Sequence, residues 1–202
     1  MESTVEFVAR VVTVVTGLSL LAAAMAVLAR EHLVARPEPI ERRMGPLALV
    51  NYLGIALFIV VGLATATTNV GTPRNLLEPL GTALRLVGVL VLWAAGLLAV
   101  WGIRTMGKHL VSDAEVRPDT ELVVRGPFGL VRHPMYLSVL LLWAGGGLAL
   151  LSWVMAVGFV AFVPAFYLRA REEEDLLTRH FGAAYTAYAA QVPMLLPRPR
   201  RR

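Results

Sequence analysis

Long apolar blocks separated by short polar loops run the length of this chain, and no other feature restricts its fold as tightly. The blocks cover residues 5–29, 46–67 and 82–103, followed by an unbroken apolar run over 134–169. A hydrocarbon core about 30 Å thick is crossed by roughly 20 apolar residues in a helix, so each of the first three blocks is one span. The last run is too long for one span. Gly145, Gly146 and Gly147 weaken its middle and Ser152-Trp153 marks a turn. It is therefore read as a tight hairpin over 134–151 and 153–168, whose glycines let the two backbones approach closely. Of the 202 residues, 57% are hydrophobic and 16% charged, which is far more apolar than a soluble domain. The expected fold is all-α and integral to the membrane, a single domain with five transmembrane helices.

Charge placement orients the spans. The leader of the first block carries Glu2 and Glu6, with Arg10 already inside the apolar run, whereas a cleaved signal peptide wants a positive leader. The block is kept as a membrane helix, with Glu6 and Arg10 paired at i,i+4. The loops then alternate between rich and poor in arginine and lysine. Arg30, Arg36, Arg42 and Arg43 follow the first span, and Arg74 alone follows the second. Arg104, Lys108, Arg117, Arg125 and Arg132 fill the insert at 104–133, and Arg171, Arg179, Arg198, Arg200, Arg201 and Arg202 lie in the tail. The positive-inside rule places the first loop, the insert and the tail in the cytoplasm and the N-terminus outside. The net charge of +5 belongs to this topogenic pattern, so no nucleic acid is expected as a partner. With no cysteine, disulfides, thiolate catalysis and cysteine metal sites are excluded, and no metal is expected. No internal repeat of the transporter kind is visible.

Both chemically dense stretches then fall on the cytoplasmic side. In 125–136, Arg132-His133-Pro134 enters the fourth span, and Pro134 suits the first turn of a helix. Titratable groups at membrane depth are rare and usually face a cavity or a partner, and a helix start is a natural seat for an anion. The competing reading makes Arg132 and His133 interfacial anchors. In 169–202, Glu172-Glu173-Glu174-Asp175 leaves the last span, followed by Leu176, Leu177, Phe181, Tyr185 and Tyr188 at helical spacing. The expectation is a cytoplasmic amphipathic helix, broken at Gly182, ahead of a basic tail that touches anionic lipid. Four acids in a row are by default a solvated face, and Glu172 and Asp175 are assigned to it. Tyr185, Tyr188 and Trp143 are read as packing or interfacial residues.

Gly126-Pro127-Phe128, then Arg132-His133-Pro134-Met135-Tyr136, then Glu173-Glu174 ahead of Phe181-Gly182, Tyr185 and Tyr188, resembles the isoprenylcysteine carboxyl methyltransferase family, whose core phospholipid methyltransferases share. The resemblance covers roughly the C-terminal half, and Ser138 stands where the family often has Gly. It implies S-adenosylmethionine-dependent methyl transfer at the cytoplasmic membrane face, carboxyl O-methylation first among the options. By the same carry-over His133, Pro134, Tyr136 and Glu174 bind the cofactor. Arg132 and Glu173 stand at the reacting centre, with Arg132 anchoring an acid or orienting an acidic substrate. Either Glu173 or Glu174 accepts hydrogen bonds from the cofactor's ribose or amino group. The implied partner is a lipophilic or lipidated acceptor from the bilayer. Membrane sterol reductases, which use NADPH, carry a similar motif but typically have Asn where Met135 stands here. A non-enzymatic membrane scaffold accounts for the basic tail but not for a His-Pro helix start beside an acidic cluster.

Overall fold

A computed structural model describes residues 4–33, 41–43, 49–68, 71–72, 80–107, 114–116 and 121–197. Most of the first basic loop, Lys108, Arg117 and the arginine tail from 198 onward lie outside the described residues. The architecture is helical: α1 (Thr4–Leu33), α2 (Val50–Thr68), α3 (Leu80–Met106), α4 (Pro134–Leu150), α5 (Trp153–Phe181) and α6 (Ala183–Gln191). Among the described residues α2, α3 and α5, with 19, 27 and 29 residues, are long and apolar enough to cross a membrane. Two three-residue strands, β1 (Glu41–Arg43) and β2 (Ala114–Val116), pair antiparallel with Glu41 opposite Val116. The pairing brings the loop after α1 and the insert after α3 to the same end of the bundle.

α4 is the axis of the packing. Its 17 residues are buried on most faces, with Val139, Leu140, Leu142, Trp143, Ala149 and Leu150 in one core with Phe58 of α2, Leu92 of α3 and Phe166 of α5. The other helices turn apolar side chains outward: Phe7, Leu53, Leu90, Trp93, Leu97 and Val160 are each half exposed or more. An apolar outer surface on helices whose backbones are satisfied internally suits a lipid environment. α3 and α4 meet at backbone distance. A Cβ on Gly88 would lie 2.2 Å from the Ala149 amide nitrogen, and one on Gly145 would lie 3.0 Å from that of Leu92. Trp143 reaches across the core to donate to the Gly54 carbonyl at 3.0 Å and packs edge-on against Phe58.

The turn between α4 and α5 is two residues long. Leu151 takes the left-handed conformation (φ 51°), its N–H closing onto the Gly147 and Leu148 carbonyls, and Ser152 caps α5 by accepting from the Met155 amide. Beyond the apolar stretch α5 continues unbroken through Arg169 and the acids to Phe181. The polar segment and the apolar one are thus a single rod, because nothing between Leu168 and Phe181 breaks the helix. The break comes at Gly182, whose φ of 54° and ψ of −123° suit a residue without Cβ. α6 turns back from there toward the start of α4.

Candidate functional site

At the start of α4, Pro134 is buried and occupies the first helical position, so its ring sets the helix entry and no amide is left unpaired there. His133 precedes it, 7% exposed, and makes no capping bond with its side chain. The ring instead faces the acids of α5, with Nε2 3.1 Å from Glu174 Oε1 and Nδ1 3.4 Å from Glu173 Oε2. One turn further on, Tyr136 stacks on the His133 ring at 5.5 Å and 4° and donates its hydroxyl to Glu173 Oε1. Phe166 of α5 closes the far side of Tyr136 at 5.1 Å.

The two neighbouring acids are divided between partners. Glu174 takes a two-point bond from Arg132, Nε to Oε1 at 2.6 Å and Nη2 to Oε2 at 3.0 Å, besides its contact with His133. Glu173 holds the Tyr136 hydroxyl and pairs with Arg169 Nε at 3.5 Å. Arg169 is 2% exposed and also reaches Glu172 Oε2 at 3.3 Å. Glu172 is therefore tied into the cluster rather than purely solvated, while Asp175 is exposed. Arg132 has further work on the chain itself. Its Nη1 donates to the carbonyls of Ala189 at 2.8 Å and Val192 at 2.5 Å, and the Arg132 and His133 amides donate to the carbonyls of Pro193 and Met194. Tyr188 of α6 donates to the Phe128 carbonyl at 2.7 Å. The segment before α4, the polar end of α5 and the chain after Gly182 are thus closed into one unit.

Burial alone would lower the His133 pKa, but hydrogen bonds and the charges of Glu173 and Glu174 outweigh it and raise the pKa above 6.5. Tyr188 is pushed up to about 12, chiefly by burial. Two buried side-chain atoms have no hydrogen-bond partner among the described residues: the Tyr185 hydroxyl and Asn51 Oδ1.

Arg132, His133, Tyr136, Glu173 and Glu174, chosen from sequence as site residues, all meet here, with Pro134 directly behind them. Sequence reasoning assigned Arg169 no role beyond the end of an apolar run. The signal was its spacing, three and four residues ahead of Glu172 and Glu173, which on a helix puts a cation against both acids. Tyr188 was read as a packing or interfacial residue, whereas it hydrogen-bonds the Phe128 carbonyl and so ties α6 to the segment before α4.

The chain matches the phospholipid methyltransferase family over residues 84–184, half of its length and including every residue of the cluster. It is similar to a protein of Arabidopsis thaliana named protein-S-isoprenylcysteine O-methyltransferase B, 28% identical over 113 residues, which is 54% of this chain and 57% of the relative. It is also similar to the nickel-cobalt-cadmium resistance protein NccN of Alcaligenes xylosoxydans xylosoxydans, 34% identical over 86 residues, 41% of this chain and 38% of that protein. The chain thus spans about half or less of the length of these relatives.

Proposed function

This chain belongs to the phospholipid methyltransferase family, and on that premise we propose that it is an integral membrane methyltransferase that transfers a methyl group from S-adenosylmethionine to a lipophilic acceptor. One observation carries the reading. Groups 37 to 42 positions apart, Arg132, His133 and Tyr136 on one side and Glu173 and Glu174 on the other, form a single hydrogen-bonded cluster where apolar helices end. The cluster mixes carboxylates, cations and hydroxyls in a half-buried place, the donor and acceptor set that a molecule with an ammonium, a carboxylate and ribose hydroxyls requires. The buried Tyr185 hydroxyl beside it adds a group with bonding capacity to spare.

His133, Tyr136 and Glu174 would hold the cofactor with the Pro134 helix start close by, while Glu173 and Arg132 stand at the reacting centre. S-Adenosylmethionine supplies, when bound, a methyl group activated on a sulfonium. The protein's part is to fix the two reactants in line. The cluster is rigid before any ligand arrives, because Glu173 and Glu174 are each held by two or more partners, and groups fixed in advance lose little freedom in the reaction. Carboxyl O-methylation is the favoured chemistry. A carboxylate acceptor is already a nucleophile, so no residue has to remove a proton. An open apolar groove of about 580 Å³ along α3, lined by Leu97, Leu98, Trp101, Arg104 and Leu141, offers a lipid-facing surface of the kind an acceptor's tail requires.

The reading extends to topology: α1 to α5 are five spans, the N-terminus is outside, and the cluster and C-terminus are cytoplasmic. The alternation of basic loops supports it, as does the strand pair that joins two of those loops at one end. Calorimetric titration of detergent-purified protein tests the cofactor. Saturable binding of S-adenosylmethionine that is abolished in Glu174→Ala and in His133→Ala is the expected result. Binding of NADPH instead would move the protein to the reductase chemistry that shares the motif.

A further inference from the structure

Tyr185 and Tyr188 are neighbours on α6, with rings 5.9 Å apart, yet their hydroxyls have different fates. Tyr188 donates to the Phe128 carbonyl and thereby holds α6 against the segment before α4. Tyr185 is the more buried, 2% exposed, and its hydroxyl bonds to nothing among the described residues. A buried hydroxyl without a partner costs stability, and phenylalanine would fill the same space without that cost. Packing therefore explains the ring of Tyr185 but not its oxygen.

The surroundings show what that oxygen faces. Arg132 grips α6 through the Ala189 carbonyl, one turn beyond Tyr185, and with its other nitrogens holds Glu174. Burial first, and then the negative charges of Glu174 and Glu173 against the opposing pull of Arg132, keep the Tyr185 hydroxyl protonated well above neutral pH. The oxygen thus sits beside the cluster as a ready donor. Both carboxylates of the cluster already accept bonds from protein cations and from Tyr136, whereas the Tyr185 hydroxyl has no partner among the described residues. It also lies one position beyond the stretch over which the chain matches its family.

We propose that Tyr185 is a cofactor-binding residue whose hydroxyl hydrogen-bonds an oxygen of the bound methyl donor, in its ribose or its carboxylate, beside the Glu174–Arg132 pair. The proposal rests on the methyl-donor reading given above. The test is titration of wild type and Tyr185→Phe with S-adenosylhomocysteine and with methylthioadenosine, which lacks the amino-acid end, alongside the Tm of each unliganded protein. Loss of the hydrogen bond weakens S-adenosylhomocysteine binding by about five- to tenfold for a ribose oxygen and by about ten- to a hundredfold for the carboxylate, while the unliganded Tm stays level or rises because an unpaired hydroxyl has gone. If methylthioadenosine is weakened equally, the bond is to the ribose; if it is unaffected, the bond is to the carboxylate. Equal affinity of wild type and variant overturns the assignment and leaves the methyltransferase reading standing, and so does a lower unliganded Tm in the variant. A wild type that binds neither ligand overturns both.

Discussion

Arg132 engages each of its three guanidinium nitrogens, two on Glu174 and one on the carbonyls of Ala189 and Val192. A lysine keeps the charge but cannot form a planar fork and reach a second direction together. Arg132→Lys is expected to cost roughly 2–3 kcal/mol, the scale of losing a hydrogen bond to a charged group. It would show as a lower Tm and as faster amide exchange in residues 189–194. His133 gives a pH signature. Its pKa is about 6.5 unfolded and raised in the fold, where the pull of Glu173 and Glu174 exceeds the opposing effect of burial. The folded protein therefore prefers the protonated ring. The stabilisation is complete below the unfolded value and is lost as pH rises through the folded one. The Tm gap between wild type and His133→Gln should be wider at about pH 6 than at about pH 9, and a gap that widened with pH would contradict the arrangement. Reading the residues in order was enough to pick out Arg132, His133, Tyr136 and the acids. It could not say which acid meets which cation, because that depends on the rotation of α5 about its axis and on where α6 turns back.

Helix contacts follow the same division between pattern and geometry. The apolar blocks announced α2 to α5 because length and composition suffice to mark an apolar helix, and the two-residue turn at Leu151-Ser152 sits where the glycine-weakened run was expected to fold back. The β1–β2 pair had no such signal: three residues in each strand are too few to show a periodicity, and their partners lie far apart in the chain. Glycines were legible as small but not as to which neighbour requires them small. Gly88 lies where a Cβ would come 2.2 Å from the backbone of α4, whereas the nearest heavy atom to a Cβ on Gly147 is 3.5 Å away. Gly88→Ala must push α3 off α4, with a loss of about 1–3 kcal/mol, while Gly147→Ala should be neutral or slightly stabilising through better helix propensity. Thermal unfolding of both variants in the same detergent decides it, and equal Tm values would refute the close α3–α4 contact.

At the scale of the molecule, the ionic groups paired among the described residues gather at the two ends of the bundle. At one end Glu6 pairs with Arg10 at 2.7 Å and with Arg85 at 3.8 Å, and Arg85 reaches the Ala149 carbonyl; at the other lies the His133 cluster. If the proposed topology is correct, a membrane-impermeant maleimide added to intact cells should label Thr72→Cys. Leu196→Cys should react only after the membrane is opened. The native chain has no cysteine, so each variant carries a single target; the reverse pattern of labelling would turn the protein upside down. The grip of Arg132 on the chain 57 and 60 positions later has a consequence for biosynthesis. The ribosome delivers the His-Pro segment, α4 and α5 while residues 189–194 are still to be made or still inside the exit tunnel. The centre therefore cannot close completely until α5 and the stretch that follows it have both been released. Until Ala189 and Val192 are free of the ribosome, Arg132 lacks the two carbonyls that fix its far side, so the order of synthesis places completion of the site after delivery of the helices that carry it.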